Sequence, residues 1–202
     1  MGMPQFKRTW TTVERDALPN DSNRYEVIDG ELFVTPAPTW RHQDAVLRLH
    51  ALIAEYLRHE PVGHALVAPA DVVFTSTRAV QPDLFVVPLI DGRVPLHFDE
   101  VRRLLLAAEV LSPSTARADR VSKRRLYRDV GVDECWIVDL DSRTFERTTP
   151  SDDRPEILAD RLVWTPERAS QSLVVDVPAF FTSVIADATG GATGGTGSGT
   201  VL

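Results

Sequence analysis

The sequence predicts an α/β fold in which helices flank a mixed central sheet and an N-terminal hairpin precedes them. Apolar residues recur at helical spacing over Trp40–His59. A hairpin-like run from Tyr25 to Val34 turns at Asp29-Gly30, a dipeptide that suits a two-residue type I′ turn. Short apolar runs typical of strands occupy much of the chain between residues 64 and 149, and their alternation with helical segments indicates helices packed on a sheet.

Local signals place the other elements. Thr11-Thr12-Val13-Glu14 has the form of a capping box, which predicts a short helix to about Leu18. A further helix is expected to begin after a cap at Ser114 or Thr115 and to end near Val130, before Gly131. A short terminal helix is predicted over residues 178–185. Predicted strands cover residues 64–68, 71–75, 80–87, 104–111, 133–139, 143–149 and 171–176.

The 202 residues fit one domain over residues 1–186. Residues 187–202 contain six of the eleven glycines and are predicted to form a flexible tail. No run reaches the roughly 18 to 20 apolar residues of a membrane span, and the N-terminus lacks the apolar core of a signal peptide. Cys135, the single cysteine, lies in an apolar run and is expected to be a buried, inert thiol. We therefore expect a soluble cytoplasmic protein with no membrane partner.

The net charge of −7 argues at first against a nucleic-acid partner. The charge is segregated, however. Eight basic and two acidic residues lie between Arg102 and Arg128, a net +6, so the rest of the chain carries −13. A helix within this run can face a phosphate backbone. The arginines predicted to contact nucleic acid are Arg117, Arg120 and Arg124.

Two carboxylates interrupt predicted apolar strands. Asp83 precedes Leu84-Phe85-Val86-Val87, and Glu109 lies between Ala108 and Val110. A buried carboxylate is costly unless it is paired, hydrogen-bonded or metal-bound. Taken alone, either carboxylate is explained equally well by a position at the end of a strand, where it meets solvent or an arginine. Both together, on strands that can be neighbours, favour a shared divalent cation, and a few hard oxygen ligands suit Mg²⁺ or Mn²⁺.

Lys123 is a third candidate. The chain contains 20 arginines and only two lysines, so an isolated lysine can mark a place that needs a compact ammonium close to an attacking water or a phosphate. A solvated helix face explains the residue as well. Tyr127 is one turn further along the same predicted helix face.

Several motifs, in order along the chain, carry a resemblance. They are residues 24–32 (RYEVIDGEL), 41–43 (RHQ), 81–84 (QPDL), 109–115 (EVLSPST), 119–120 (DR), 123–127 (KRRLY) and 131–139 (GVDECWIVD). Together they resemble the Uma family of restriction endonucleases, which belongs to the PD-(D/E)XK nuclease superfamily. The resemblance runs from roughly residue 10 to residue 185, and its most specific part is the string from Glu109 to Asp139.

This resemblance implies a restriction-endonuclease-like core and an Mg²⁺-dependent or Mn²⁺-dependent endonuclease that acts on DNA as a homodimer. It implies that Asp83 and Glu109 hold the metal and that Lys123 is the third catalytic residue. The superfamily pattern has its lysine two residues after the second acid, where this chain has Leu111. Lys123, in the following helix, is the residue that matches.

Glu31 and His42 also match family positions near the site, and Tyr127 is a further auxiliary candidate. Glu31 can be a further acid or an exposed hairpin residue. His42 can be a ligand, or a capping or packing residue at the start of the long helix. Tyr127 can contact phosphate or simply pack.

Two other classes of protein remain open. One is a catalytically idle DNA-binding or protein-interaction module with the same fold, although the intact set of Asp83, Glu109 and Lys123 argues against it. The other is a metal hydrolase of nucleotides or small phosphate esters. The segregated positive charge argues against this class, because it favours a polymeric substrate. Zinc chemistry is not expected, because the five histidines lack a tight ligand spacing and there is no second cysteine.

Overall fold

The computed structural model describes residues 8–21, 23–113 and 115–185. The predicted tail over residues 187–202 and the candidate cap Ser114 lie outside the described residues. Within them a π-helical turn, Ala118–Lys123, leads directly into the third α-helix, and a 3₁₀ turn covers Phe98–Glu100. The α-helices are α1 (Thr12–Asp16), α2 (Trp40–His59), α3 (Arg124–Asp129) and α4 (Val177–Ser183). None of these helices combines the length and apolar character that crossing a bilayer requires.

The strands form three sheets in the described part of the chain. They are β1 (Arg24–Ile28), β2 (Glu31–Thr35), β3 (Gly63–Val67), β4 (Val72–Thr75), β5 (Arg78–Val80), β6 (Leu84–Pro88), β7 (Leu106–Val110), β8 (Cys135–Asp139), β9 (Thr144–Thr148), β10 (Glu156–Leu158), β11 (Arg161–Trp164) and β12 (Leu173–Asp176). The central sheet has the order β10-β9-β8-β7-β6-β3, a second sheet the order β2-β1-β5-β4, and β11 pairs with β12.

The central sheet is mixed, as predicted. All its neighbouring strands are antiparallel except β7 and β8, which run parallel and are joined through the π-helical turn and α3. The predicted hairpin is β1 and β2. Its turn residues Asp29 and Gly30 have φ angles of 50° and 78°, both in the left-handed region that a type I′ turn requires.

Alternate side chains of the central sheet enter two apolar cores. Leu84 and Val86 of β6 pack with α2, α4, β11 and β12 on one face. Phe85 and Val87 pack with α3 and with β1, β4 and β5 of the second sheet on the other. Residues that alternate along a strand point to opposite faces. The central sheet is therefore covered on both sides, and a charged side chain along it is enclosed.

Three sequence expectations are corrected. The run over residues 80–87 is not one strand: Gln81, Pro82 and Asp83 separate β5, in the second sheet, from β6, in the central sheet. The strands form three sheets rather than one, because β11 and β12 also pair apart from the central sheet. β10 and β11 were not predicted. The helix before Gly131 is present, but its residues 118–123 are π-helical rather than α-helical.

Candidate functional site

Asp83 and Glu109 are brought together by the register of β6 and β7. Leu84 of β6 pairs with Ala108 of β7 in antiparallel register. Asp83, one residue before β6, therefore falls opposite Glu109 when the register is continued by one position. Side chains directly opposite on neighbouring strands have Cβ atoms about 4.5–5.5 Å apart. The two carboxylates thus lie at the same place on the same face of the sheet.

Asp83 is buried and bonded on both of its oxygens. Oδ1 accepts a hydrogen bond from Arg24 Nη1 at 2.9 Å. Oδ2 lies 3.0 Å from His42 Nε2 and accepts a hydrogen bond from the Val110 backbone N–H at 2.9 Å. Burial alone would raise the pKa of the Asp83 carboxyl, but the hydrogen bond from His42 and the charges of His42 and Arg24 hold that pKa well below its ordinary value. Asp83 is consequently ionised at neutral pH.

Glu109 is held by two residues of the helical segment. Lys123 Nζ donates to Oε2 at 3.0 Å, and the Tyr127 hydroxyl donates to Oε1 at 2.5 Å. Burial raises the pKa of the Glu109 carboxyl well above its ordinary value, even though the Lys123 charge lowers it. Asp83 and Glu109 therefore differ in their affinity for a proton, although they are neighbours.

Lys123 lies at the centre of a buried acidic cluster. Its side chain is 4 % exposed, and Nζ is 3.0 Å from Glu26 Oε1, 3.0 Å from Glu109 Oε2 and 3.5 Å from Asp119 Oδ1. Burial lowers the pKa of Lys123, yet these carboxylates, Glu109 foremost, raise it well above its ordinary value. The ammonium stays protonated and faces carboxylates.

Asp119 and Lys123 are four residues apart in the π-helical turn and share one buried face. The N–H of Arg124 donates to the carbonyl of Asp119, five residues earlier, as well as to that of Val121. A single π turn inserts an extra residue into a helix, so it changes which side chains face the sheet, and such turns are frequent at functional sites. Here Lys123 contacts both Asp119 and Glu109.

The cluster contains more buried negative than positive groups. The carboxylates of Glu26, Asp83, Glu109 and Asp119 are all buried. The permanent cations in contact with them are Lys123 and Arg24. Burial raises the pKa of Asp119, against the charge of Lys123, and its Oδ1 has no hydrogen-bond partner among the described residues. The excess of negative charge creates an affinity for a proton or for a further cation.

These residues, apart from Glu26, line a pocket of about 230 Å³. One wall is formed by the segment between β2 and α2, and the other by the segment after β7 and the π-helical turn. The lining residues include Arg24, Thr39, His42, Asp83, Glu109, Thr115, Asp119 and Lys123. A larger, mainly apolar groove of about 850 Å³ between α2, β12 and α4 contains none of the predicted site residues. The predicted catalytic residues Asp83, Glu109 and Lys123 therefore lie at the smaller pocket.

Two of the three auxiliary residues contact the paired carboxylates, and the third does not line the pocket. His42, near the start of α2, contacts Asp83 and lines the pocket, while Tyr127 bonds to Glu109. Glu31 is exposed at the first position of β2 and is not part of the pocket lining. Glu26, on the paired strand β1, is the hairpin glutamate that reaches Lys123.

Sequence reasoning missed Glu26, Asp119 and Arg24. Glu26 showed the signal used for Asp83 and Glu109, an acid between apolar residues of a strand, here Tyr25 and Val27. Asp119 gave no such signal, because an acid in an amphipathic helix ordinarily faces water.

The three arginines predicted to contact nucleic acid lie outside the pocket lining. Arg120 donates to Asp139 at 2.7 Å and to Glu146 at 2.5 Å, and Arg124 donates to Glu146 at 3.3 Å. Arg117 is exposed, and within the described ranges it forms no ion pair. Arg117 is thus the most available of the three for a phosphate.

Asp83 and Glu109 are the carboxylates best placed to hold a cation. A carboxylate offers about four lone-pair sites. Asp83 uses three of them and Glu109 two, so both retain capacity. Within the described ranges, no group of three or more His, Cys, Asp or Glu side chains has the arrangement of a complete metal site. Two carboxylates still suit Mg²⁺, which keeps several waters and takes further ligands from phosphate.

Comparisons with known proteins identify the class and the family. A crystal structure of a putative nuclease belonging to DUF820 from Anabaena variabilis ATCC 29413 is similar to this chain, with a TM-score of 0.69 and 21 % identity. The similarity covers 87 % of this chain and 99 % of that one. The fold is therefore nuclease-like. Residues 13–177 match the Uma2 family, described as "Putative restriction endonuclease". The chain belongs to the Uma2 family. A search of curated proteins found no match.

Proposed function

We propose that this protein is a divalent-metal-dependent endonuclease that hydrolyses phosphodiester bonds of DNA. The observation that carries the proposal is the pair Asp83 and Glu109, opposite each other at one pocket, inside a cluster with an excess of buried carboxylates. Family membership and fold support a nuclease-like role. An acidic pocket repels the phosphate of DNA unless a cation intervenes, so the residues themselves favour a metal-dependent reaction.

Asp83 and Glu109 would hold Mg²⁺ or Mn²⁺. The cation would neutralise charge on the scissile phosphate and lower the pKa of its bound water. Arg24, His42 and the Val110 N–H fix the Asp83 carboxylate, while Tyr127 and Lys123 fix that of Glu109. Both proposed ligands are thereby pre-organised by buried hydrogen bonds.

Lys123 fits a positioning role more closely than direct contact with the substrate. Its three short contacts are with the carboxylates of Glu26, Glu109 and Asp119, so it orients Glu109 and balances the charge of the cluster. A role on the attacking water, the alternative expected for this lysine, requires Nζ to leave at least one of those carboxylates when the substrate binds.

The proposal is tested by incubating the protein with supercoiled plasmid and with single-stranded circular DNA in Mg²⁺, in Mn²⁺ and in EDTA. We expect the metal-containing reactions to cut DNA and the EDTA reaction to leave it intact. Asp83→Asn should abolish cutting. Asp91→Asn is a matched control, because Asp91 is exposed in a turn after β6, at the opposite end of that strand from Asp83. Metal-dependent binding without cutting would identify an idle DNA-binding module instead.

The homodimer implied by the resemblance is part of the proposal for cutting both strands, since the described part of each chain has one such pocket. Light scattering during size-exclusion chromatography, with and without a DNA duplex in Ca²⁺, measures the mass of the particle. A monomer under both conditions would contradict this part of the proposal and leave the single-site chemistry intact.

A further inference from the structure

The apolar groove between α2, β12 and α4 has no role in the chemistry of the acidic pocket. It has a volume of about 850 Å³ and shares no lining residue with that pocket. Its lining combines the buried side chains of Tyr56, Leu173 and Phe180 with Leu52 and Val174, which are 40 % and 48 % exposed. A contiguous apolar surface that reaches solvent is characteristic of a binding surface.

One wall of the groove is a stripe of side chains along α2. The α2 stripe consists of Arg48, Ala51, Leu52 and Glu55, which all line the groove. Positions three, four and seven residues apart share one face of a helix. The stripe therefore has a cation at one end, a small residue and an apolar residue at its centre, and an anion at the other end. The side chains of Arg48 and Glu55 are 40 % and 55 % exposed.

The α2 stripe is complementary to itself when it is reversed. Two copies of α2, packed antiparallel about a point between Ala51 and Leu52, place Arg48 of each chain opposite the partner's Glu55. The same arrangement places Ala51 opposite the partner's Leu52. A twofold dimer requires such a surface, because both subunits contribute the same patch. An apolar centre with charged residues at its edge is also the usual arrangement of a protein interface.

We propose that the groove and the α2 stripe form the twofold interface of a homodimer, with α2 of a second copy as the occupant. Leu52 of each chain packs against the apolar lining of the partner, and two Arg48–Glu55 pairs close the edges. Arg48 donates to Asp44 from Nε, and no described residue accepts from its Nη groups, which match a carboxylate in geometry. This inference rests on the homodimer included in the proposed function and names its interface.

The chemistry of the groove favours a second copy over residues 187–202 of the same chain. That segment follows α4, which lines the groove. Its only large apolar residues are Val201 and Leu202, and it contains no lysine or arginine to face Glu55. A small apolar ligand would likewise leave the charges at the two ends of the α2 stripe without a partner. A second α2 satisfies both the apolar lining and the charges.

An exchange of the two charges tests the interface in the full-length protein. Sedimentation velocity over a dilution series, without DNA, measures the dissociation constant of the dimer. Arg48→Glu places like charges opposite each other twice in one dimer, and so does Glu55→Arg. Each single variant should raise the dissociation constant at least ~100-fold. The double variant restores opposite charges between the chains and should return to within about tenfold of the wild type.

Recovery in the double variant reports pairing between chains only. Arg48 and Glu55 are two helical turns apart, roughly 10 Å along the axis, so they do not pair within one chain. In the same chain Arg48 pairs with Asp44, and Glu55 pairs with Arg58. The exchange replaces both of these attractions with repulsions, so it cannot restore the dimer through them.

A second pair of variants tests the apolar centre of the interface. Leu52→Glu places a charge against the apolar lining and should also raise the dissociation constant at least ~100-fold. Ile157→Glu is the matched control and should dimerise as the wild type does. Ile157 is 57 % exposed on β10, at the opposite edge of the central sheet from β3, beside which α2 packs. Circular dichroism of each variant verifies that it is folded.

The outcomes separate the interface from the nuclease activity. A wild-type monomer, a dimer that both single variants leave intact, or a double variant that stays dissociated would each overturn the interface, the last by indicating a different occupant of the groove. Cutting of plasmid DNA by the wild type in Mg²⁺ together with any of these results would leave the nuclease proposal standing. Conversely, a dimer that follows the charge exchange but cuts nothing would overturn the nuclease proposal alone.

Discussion

Asp83 and Glu109 occupy opposite positions on two neighbouring strands, yet their surroundings act on them in opposite directions. Asp83 receives hydrogen bonds from an arginine and a backbone N–H and contacts a histidine, so its pKa is lowered. Burial raises the pKa of Glu109 despite the adjacent Lys123. Two titratable groups whose environments separate their pKa values are characteristic of functional sites.

The first prediction follows from this pairing. Asp83→Asn and Glu109→Gln preserve the size of each side chain but remove a charge, and each should lower kcat/KM for Mg²⁺-dependent DNA cleavage at least ~100-fold. Because both would hold one cation, the double variant should be no slower than the slower single variant. Steady-state cleavage of one DNA substrate by all three proteins measures this. Losses that multiply in the double variant would show that the two carboxylates act independently.

The second prediction concerns Lys123, whose ammonium separates three carboxylates. Lys123→Met removes one partner of a buried ion-pair cluster, which typically costs about 3–5 kcal/mol. We expect a correspondingly lower Tm without metal, and a larger rise in Tm on adding Mn²⁺ than the wild type shows, because the cation replaces lost positive charge. Differential scanning calorimetry in EDTA and in Mn²⁺ measures both.

Arg125→Met is the matched control for the lysine. Arg125 is more than half exposed and pairs with Asp29, and such surface pairs contribute about 0–1 kcal/mol. Its Tm should change little, with or without Mn²⁺. If Mn²⁺ raised the Tm of Lys123→Met no more than that of Arg125→Met, the Lys123 ammonium would not be neutralising a site that accepts a cation.

The third prediction is a pH dependence at Asp119. Its pKa is raised in the folded protein, so the folded state holds the proton more tightly than the unfolded state does. The destabilisation from Asp119 is therefore absent below the unfolded pKa, grows as the pH rises from the unfolded pKa to the folded one, and is fully present above the folded one. Asp119→Asn removes it, and at neutral to alkaline pH this should raise the Tm by about 2–4 °C, the effect of about 1 kcal/mol in a chain of this size.

Thermal unfolding of Asp119→Asn and the wild type from pH 4 to pH 8 provides the test. The difference in Tm should be smallest at pH 4 and should widen toward pH 8. A constant difference would mean that Lys123 offsets the effect of burial on the Asp119 carboxylate, and one that narrows as the pH rises would mean that Lys123 outweighs it.

Local signals were sufficient for elements whose stability is local. The bounds of α2 match the predicted Trp40–His59, because a long amphipathic period is unambiguous and Thr39 caps it. The Asp29-Gly30 turn likewise depends only on its own backbone preference. Pro82 is a local signal for the break at Gln81-Pro82-Asp83, because proline cannot donate a hydrogen bond to a neighbouring strand. The pairing of β5 and β6 with different sheets has no such signal, since it is a tertiary relationship.

The same division applies to the site. Asp83 and Glu109 were detectable because a carboxylate next to apolar strand residues is energetically anomalous in any fold. The meeting of Lys123 with Glu26 was not, since it depends on the approach of the hairpin to the helical segment that carries Lys123. Arg24 likewise reaches Asp83 from the second sheet. Residues that support the carboxylates from other elements leave no periodic trace in the sequence.

The fourth prediction concerns β7, which carries Glu109 and is buried at all five positions. Leu106 is fully buried in the core shared with α2, so Leu106→Ala should lower the free energy of unfolding by about 2–5 kcal/mol. Leu96→Ala, at an 82 % exposed position, is the control and should change it by no more than about 0.5 kcal/mol. Urea denaturation measures both. Because β7 lies between β6 and β8 and supports one carboxylate directly, a Leu106→Ala protein that unfolded like the wild type would mean that this strand is not the rigid base of the site.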